Sequence, residues 1–255
     1  MILAAGLGTR LRPLTDDRPK ALVELSGRTL LEITLSRLRS FGVTEVIVNV
    51  HHFADTVIDY LKSNKNFGMR IEISREDVLL DTGGGLKKAA WFFLEDSGRH
   101  SESGDFNQMD EPFLLHNVDV ISTIDLRRML QFHNENRAVA TLATQARETS
   151  RPLLFDDHLE LRGRRIDNKN SVISTEGRNL SSTPLQALAF SGIHVISPRL
   201  LPMLTEEGIF SIIPSYLRLS AQGEKIVAFR ADDYYWRDLG RPADLAQAAL
   251  DLQQE

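Results

Sequence analysis

The 255-residue sequence predicts an α/β fold, with a mixed, mainly parallel sheet flanked by helices. Apolar strands alternate with amphipathic helical segments over roughly the first 145 residues. Those strands are apolar on both faces, as strands become when helices cover both sides of a parallel sheet. A glycine turn, Gly6-Leu7-Gly8, also follows the first apolar run directly. In an open α/β sheet that turn lies at the carboxyl edge, where ligands sit.

The elements follow in order. Residues 1–5 form a short first strand; either the sheet tolerates a stub there or the true start lies a few residues upstream. Leu30, Leu31, Thr34, Leu35 and Leu38 share one face of a helix over 30–39, which ends at Phe41-Gly42. Residues 45–50 form a buried strand, 54–62 a second amphipathic helix, and 70–74 an alternating strand. A turn, Thr82-Gly83-Gly84-Gly85, precedes a helix over about 86–95. The polar segment 96–110 is expected as a surface excursion rather than a domain boundary. A strand over 112–117 delivers Val118-Asp119 to its carboxyl end, followed by a helix over 125–136 and a strand over 138–144. From Pro152 the pattern changes to short hairpin-like strands and a longer strand, 187–196, broken at Gly192. Segments 200–204 and 212–219 read as helical, 225–229 as a strand, and 242–252 as a closing helix with proline at its start. We expect one domain over 1–255, in two halves, 1–145 and 146–255. There is no internal repeat.

Composition narrows the function. A net charge of −5 argues against a general nucleic-acid or acidic-membrane surface. The absence of cysteine excludes disulfides, thiolate catalysis and thiolate metal sites. No apolar run approaches membrane-spanning length, so a cytoplasmic enzyme is expected. Against this acidic background Arg10, Arg12, Arg18 and Lys20 crowd one loop, stiffened by Pro13 and Pro19. A strand, a glycine turn and a cationic loop describe a polyphosphate site. It is not the dinucleotide fingerprint, because Leu11 stands where the third glycine belongs. It is not a Walker A loop, because no Gly-Lys pair occurs in the chain. His51 and His52 invite a metal-pair reading, but adjacent strand residues point to opposite faces.

The run from Leu3-Ala4-Ala5-Gly6-Leu7-Gly8-Thr9-Arg10 to Pro19-Lys20 resembles the signature loop of the sugar-1-phosphate nucleotidyltransferases. The resemblance continues at Val48-Asn49-Val50-His51-His52, Asp81-Thr82-Gly83-Gly84-Gly85, Asn117-Val118-Asp119 and Trp236-Arg237-Asp238-Leu239-Gly240-Arg241-Pro242. It thus spans nearly the whole chain and implies a Rossmann-like nucleotidyltransferase fold without a C-terminal β-helix. The implied reaction joins a nucleoside triphosphate to a sugar 1-phosphate and releases pyrophosphate, with Mg²⁺ as cofactor. The attacking phosphate oxygen is already ionised, so alignment and charge neutralisation suffice and no general base is needed.

By this resemblance Ala4, Ala5, Gly6, Leu7, Gly8 and Thr9 would wrap the nucleotide. Arg10 would hold the departing pyrophosphate, and Lys20 would bridge the α-phosphate and the incoming sugar phosphate. Arg12 and Arg18 read as ordinary surface cations. Asp119 and Asp238 would ligate Mg²⁺, which takes hard oxygen ligands. Glu76, Gly83 and Gly84 are candidates for nucleoside contact, and Asn117 and Gly192 for the sugar phosphate. For Gly192 a β-bulge is the competing explanation. Many members carry glycine where this chain has Val118, which puts a Cβ beside the metal ligand. Two other readings stay open: a cytidylyltransferase acting on a non-sugar phosphate such as phosphocholine, and a non-catalytic nucleotide sensor.

Overall fold

The computed structural model describes residues 1–95, 111–165, 172–174 and 184–252; the polar segment 96–110 lies outside them. In chain order the elements are β1 (Ile2–Leu3), β2 (Glu24–Leu25), β3 (Arg28–Thr29), α1 (Leu30–Ser40), β4 (Glu45–Val50), α2 (Ala54–Ser63) and β5 (Arg70–Arg75). Then come α3 (Asp81–Lys88), α4 (Ala90–Glu95), β6 (Phe113–Asn117), β7 (Val120–Ser122), α5 (Leu126–Asn136), β8 (Ala140–Gln145) and β9 (Leu153–Phe155). The remainder is β10 (Leu161–Arg165), β11 (Val172–Ser174), β12 (Gln186–Ile196), α6 (Ile212–Ala221), β13 (Ile226–Arg230), β14 (Trp236–Asp238) and α7 (Pro242–Asp251). The α/β class is the one predicted: a mixed sheet with parallel strands, flanked by helices.

The chain divides into two compact units, each built from separate stretches of sequence. The first comprises Met1–Asp81, His116–Thr123 and Tyr235–Glu255. In it β1 runs parallel to β4 on one side and to the end of β6 on the other, with Leu3 opposite both Asn49 and Asn117. β4 in turn runs parallel to β5. These strands end together, so their carboxyl ends form one rim. α1 starts where Thr29 Oγ1 accepts the Glu32 N–H (3.1 Å), half of a capping box set by Thr29 and Glu32. Its buried face is Leu30, Leu31, Thr34, Leu35 and Leu38, as the spacing predicts. β14 pairs antiparallel with β7, and α7 follows with Pro242 in its first turn.

The second unit comprises Thr82–Leu115 and Ile124–Tyr234. β8 is flanked by parallel β13 and antiparallel β12, and β12, β9, β10 and β11 continue as antiparallel neighbours. The hairpins expected after Pro152 are therefore present. α5 packs against β8, β12 and β13, and α6 against β10. The stretch read as helical at 200–204 is a 3₁₀ segment, Pro198–Met203.

One local expectation is corrected. The Thr82-to-Gly85 stretch is not a turn ahead of a helix; it lies inside α3, and the helical path is interrupted at Ala89 instead. Glycine weakens a helix by about 1 kcal/mol per residue, so local propensity argues against this. Tertiary bonds win: the Phe210 carbonyl accepts the N–H groups of Gly83 (2.9 Å) and Gly84 (3.1 Å). Thr82 Oγ1 accepts the Ile212 N–H (3.0 Å).

Candidate active site

β1 ends at Leu3 and releases the chain into the glycine loop. Ala4 and Ala5 are buried, whereas Gly6, Leu7 and Thr9 are exposed. Gly8 sits at φ +66°, and a Cβ there would lie 2.9 Å from Thr15 Cγ2 and 3.1 Å from Lys20 Cβ. Glycine is thus required twice, by conformation and by the approach of the loop's return limb. Thr15 Oγ1 donates to the Gly8 carbonyl (2.9 Å), and buried Leu11 and Thr15 pin the loop. Arg10 lies in a 3₁₀ turn over Thr9–Leu11, and Lys20 opens another over Lys20–Leu22. Arg12 and Arg18 pair with Asp16 (3.3 Å) and Asp17 (2.9 Å) on the surface.

The two acidic candidates come from distant parts of the chain. Asp119 follows β6 just before β7, and Asp238 is the last residue of β14. The antiparallel β7–β14 pairing sets Asp238 opposite Val120, and the Leu239 N–H donates to the Asp119 carbonyl (2.7 Å). Lys20 Nζ is ion-paired with the Asp119 carboxylate, both side chains being largely buried. The Gly240 N–H donates to Asp238 Oδ1 (2.7 Å), and a Cβ on Gly240 would lie 2.6 Å from both that oxygen and Arg10 Nη2. Arg10, Lys20, Asp119 and Asp238 therefore converge on one rim of the first unit, at the mouth of the glycine loop. Burial raises the Asp238 pKa above the usual carboxylate range, and the nearby Asp119 charge raises it further. The Gly240 N–H, Lys20 and Arg10 pull it partly back.

This donor set suits a hard divalent cation. Two carboxylates that repel each other gain from a shared positive ion, and oxygen ligands match Mg²⁺. Among the described residues no group of three or more acidic, His or Cys side chains forms a metal site; Asp119 and Asp238 are a pair of carboxylates that could hold a cation. Val118 is only 2% exposed, and its carbonyl accepts from Thr34 Oγ1 (3.4 Å). Its side chain is taken up by packing.

The other expected residues are placed as follows. Asn117 ends β6, half-buried, and its carbonyl accepts from His116 Nδ1–H (2.7 Å). Glu76 is 2% exposed, and both of its carboxylate oxygens accept internal N–H groups. His51 donates Nδ1–H to the Glu76 carbonyl (2.9 Å), and His52 lies against Phe53. Gly83 and Gly84 belong to the second unit, where α3 commits their N–H groups to Phe210. Gly192, also in that unit, lies in β12 at φ +74° where the register with β8 shifts, a β-bulge. Asn49 and Gly240 stand inside the motifs quoted above, but the sequence assigned neither a role. Asn49 had a signal, as a polar residue inside the apolar strand Val46-Ile47-Val48-Asn49-Val50.

A glycine loop, two cations and two carboxylates on a strand-end rim define a nucleotide-handling α/β enzyme. The nucleotidyl transferase family model matches residues 1–155, and the chain belongs to that family. It is 34% identical over 258 residues to N-acetylmuramate alpha-1-phosphate uridylyltransferase of Caulobacter vibrioides, covering 98% of this chain and 95% of that protein. It is 26% identical over 250 residues to UTP–glucose-1-phosphate uridylyltransferase of Synechocystis sp., covering 97% of this chain but 61% of that longer protein. A solved UDP-glucose pyrophosphorylase in complex with UDP-glucose shares the fold, with a TM-score of 0.72 over 99% of this chain and 97% of that one, at 16% identity. No helix among the described residues is long and apolar enough to cross a membrane.

Proposed function

We propose that the protein transfers a nucleotidyl group from a nucleoside triphosphate to a sugar 1-phosphate, giving a nucleotide sugar and pyrophosphate. The convergence of Arg10, Lys20, Asp119 and Asp238 beside the glycine loop carries this reading. The similarity to a uridylyltransferase over 95% of its length supports it. A sugar-phosphate oxygen bonds to the α-phosphorus as the bond to the β-phosphate oxygen breaks. The nucleophile arrives ionised, so the protein's task is to align two anions and neutralise their charge.

In this reading the backbone from Ala4 to Thr9 binds the triphosphate, Arg10 meets the departing pyrophosphate, and Lys20 spans the two reacting phosphates. Asp119 and Asp238 would hold Mg²⁺, which neutralises triphosphate charge when bound. Lys20 is paired with Asp119, so it already stands beside the carboxylates that would receive the metal. Asn117 and Gly192 are proposed for the sugar phosphate, and Gly83 and Gly84 for the nucleoside. The division into a nucleotide half over 1–145 and a sugar half over 146–255 is part of the same proposal.

The test is pyrophosphate release with Mg²⁺, crossing the common nucleoside triphosphates against a panel of sugar 1-phosphates. UTP with N-acetylmuramate 1-phosphate is the first pair. Release should require both substrates, and Lys20→Ala or Asp119→Ala should lower it by about a hundredfold or more, the usual cost of a charge-stabilising group. Turnover near the wild-type rate in either variant would sink the mechanism.

A further inference from the structure

Three strands of the first unit are tied together by side chains just where the glycine loop begins. The Ala4 N–H donates to Asn49 Oδ1 (2.7 Å) and Asn49 Nδ2 donates to Glu76 Oε1 (2.7 Å). Glu76 Oε2 accepts the Leu80 N–H (2.9 Å). Asn49 and Glu76 are each 2% exposed. Asn49 lies opposite Leu3 in the β1–β4 ladder and opposite Ser74 in the β4–β5 ladder. Its amide carbonyl stands in for a backbone carbonyl one step beyond the last ladder pair, at the residue where the chain leaves the sheet.

The chemistry of the relay leaves one arrangement. Both Glu76 oxygens accept N–H groups, so Asn49 turns its NH₂ toward Glu76. Asn49 Oδ1 then faces the Ala4 N–H, the one orientation that satisfies all three groups. Such burial leaves Glu76 little surface for a nucleoside, so its effect passes through Asn49 to Ala4.

We infer that Asn49 and Glu76 are positioning residues that hold Ala4, and with it the start of the glycine loop, in the conformation that receives the triphosphate. This rests on the nucleotidyltransferase reading above. It makes triphosphate affinity depend on two buried side chains.

The experiment measures binding of each common nucleoside triphosphate, with Mg²⁺, to wild type, Asn49→Ala and Glu76→Gln by calorimetry, alongside thermal melting and the KM for sugar 1-phosphate. Asn49→Ala strands the Ala4 N–H and Glu76 Oε1. In Glu76→Gln the new amide offers one acceptor oxygen to two donors, so one bond of the relay is lost. Each variant should weaken the best-bound triphosphate by about tenfold, the scale of one buried hydrogen bond lost, and leave the sugar-phosphate KM within about twofold. Should Asn49→Ala fail to fold, Glu76→Gln carries the test. Lower melting temperatures with unchanged triphosphate affinity would mean that the relay only stabilises the fold, overturning the inference. A wild type that turns over substrate beside equally tight-binding variants overturns this inference alone. A wild type that binds no triphosphate overturns the functional reading and this inference with it.

Discussion

Gly240 shows how a residue without a side chain shapes the site. A Cβ at this position would come within 2.6 Å of Arg10 Nη2 and of Asp238 Oδ1. Both atoms end movable side chains, so Gly240→Ala can be accommodated, but only by shifting a proposed catalytic cation or a proposed metal ligand. We expect a nearly unchanged melting temperature and a loss of turnover of about tenfold or more, since small misplacements at a reacting centre are costly. Comparing melting curves with pyrophosphate-release rates checks this; a variant with full activity would show that the contact does not matter to the chemistry. Gly240 stands within the Leu239-Gly240-Arg241-Pro242 motif, yet its role was not legible there. Part of the crowding comes from Arg10, near the opposite end of the chain. Arg10, Lys20 and Gly8, by contrast, were legible together because they share one short loop whose spacing is its geometry.

At the scale of elements, α3 is the departure from local rules. Gly83, Gly84 and Gly85 are buried within it, where sequence alone suggests a turn. Replacing Gly83 with alanine sets two effects against each other. Helix propensity would gain about 1 kcal/mol. The new Cβ, however, would lie 2.4 Å from Phe210 Cε2 and 3.0 Å from the Phe210 carbonyl oxygen, which accepts the Gly83 N–H. Overpacking of that kind costs about 1–3 kcal/mol, and here the backbone carbonyl can yield little. The clash wins. Gly83→Ala should lower the melting temperature by several degrees, and a higher one would show that Phe210 moves aside freely. The amphipathic spacing of α1 and α2 needed no such partner, so those helices were readable from their own residues.

For the molecule as a whole, acid stability depends on histidines buried without charge. Burial holds His116 down to about 4, and burial with the Arg199 charge does the same to His133, against an ordinary 6.5. His133 Nδ1 meets Thr141 Oγ1 (2.9 Å) and Nε2 meets Ser197 Oγ (3.0 Å). Ser197 Oγ donates onward to the Ala138 carbonyl (3.0 Å), so the network suits a neutral ring carrying its proton on Nε2. A folded pKa below the unfolded one means that the unfolded chain takes up the proton first as pH falls. The stability is therefore present above 6.5 and lost as pH falls from there to about 4. Melting temperatures between pH 7.5 and pH 4 should decline through that window, and less steeply in His133→Gln. An identical slope in the variant would remove His133 from the account.

The sequence by itself determined the α/β class, the strand–glycine-turn start and the cationic loop, because each is written in neighbouring residues with a period or spacing of its own. It also supplied Asp119 and Asp238 as candidates, through the motifs around them. Only the tertiary structure decided that these two carboxylates stand together. Their meeting depends on the pairing of β7 with β14, between segments more than a hundred residues apart, and no local pattern encodes that register. The same holds for Ala4, Asn49 and Glu76, joined across three strands, and for α3, whose glycines make sense only beside Phe210. Local order follows from nearest-neighbour chemistry, whereas the site is set by which distant surfaces the folded chain brings into contact.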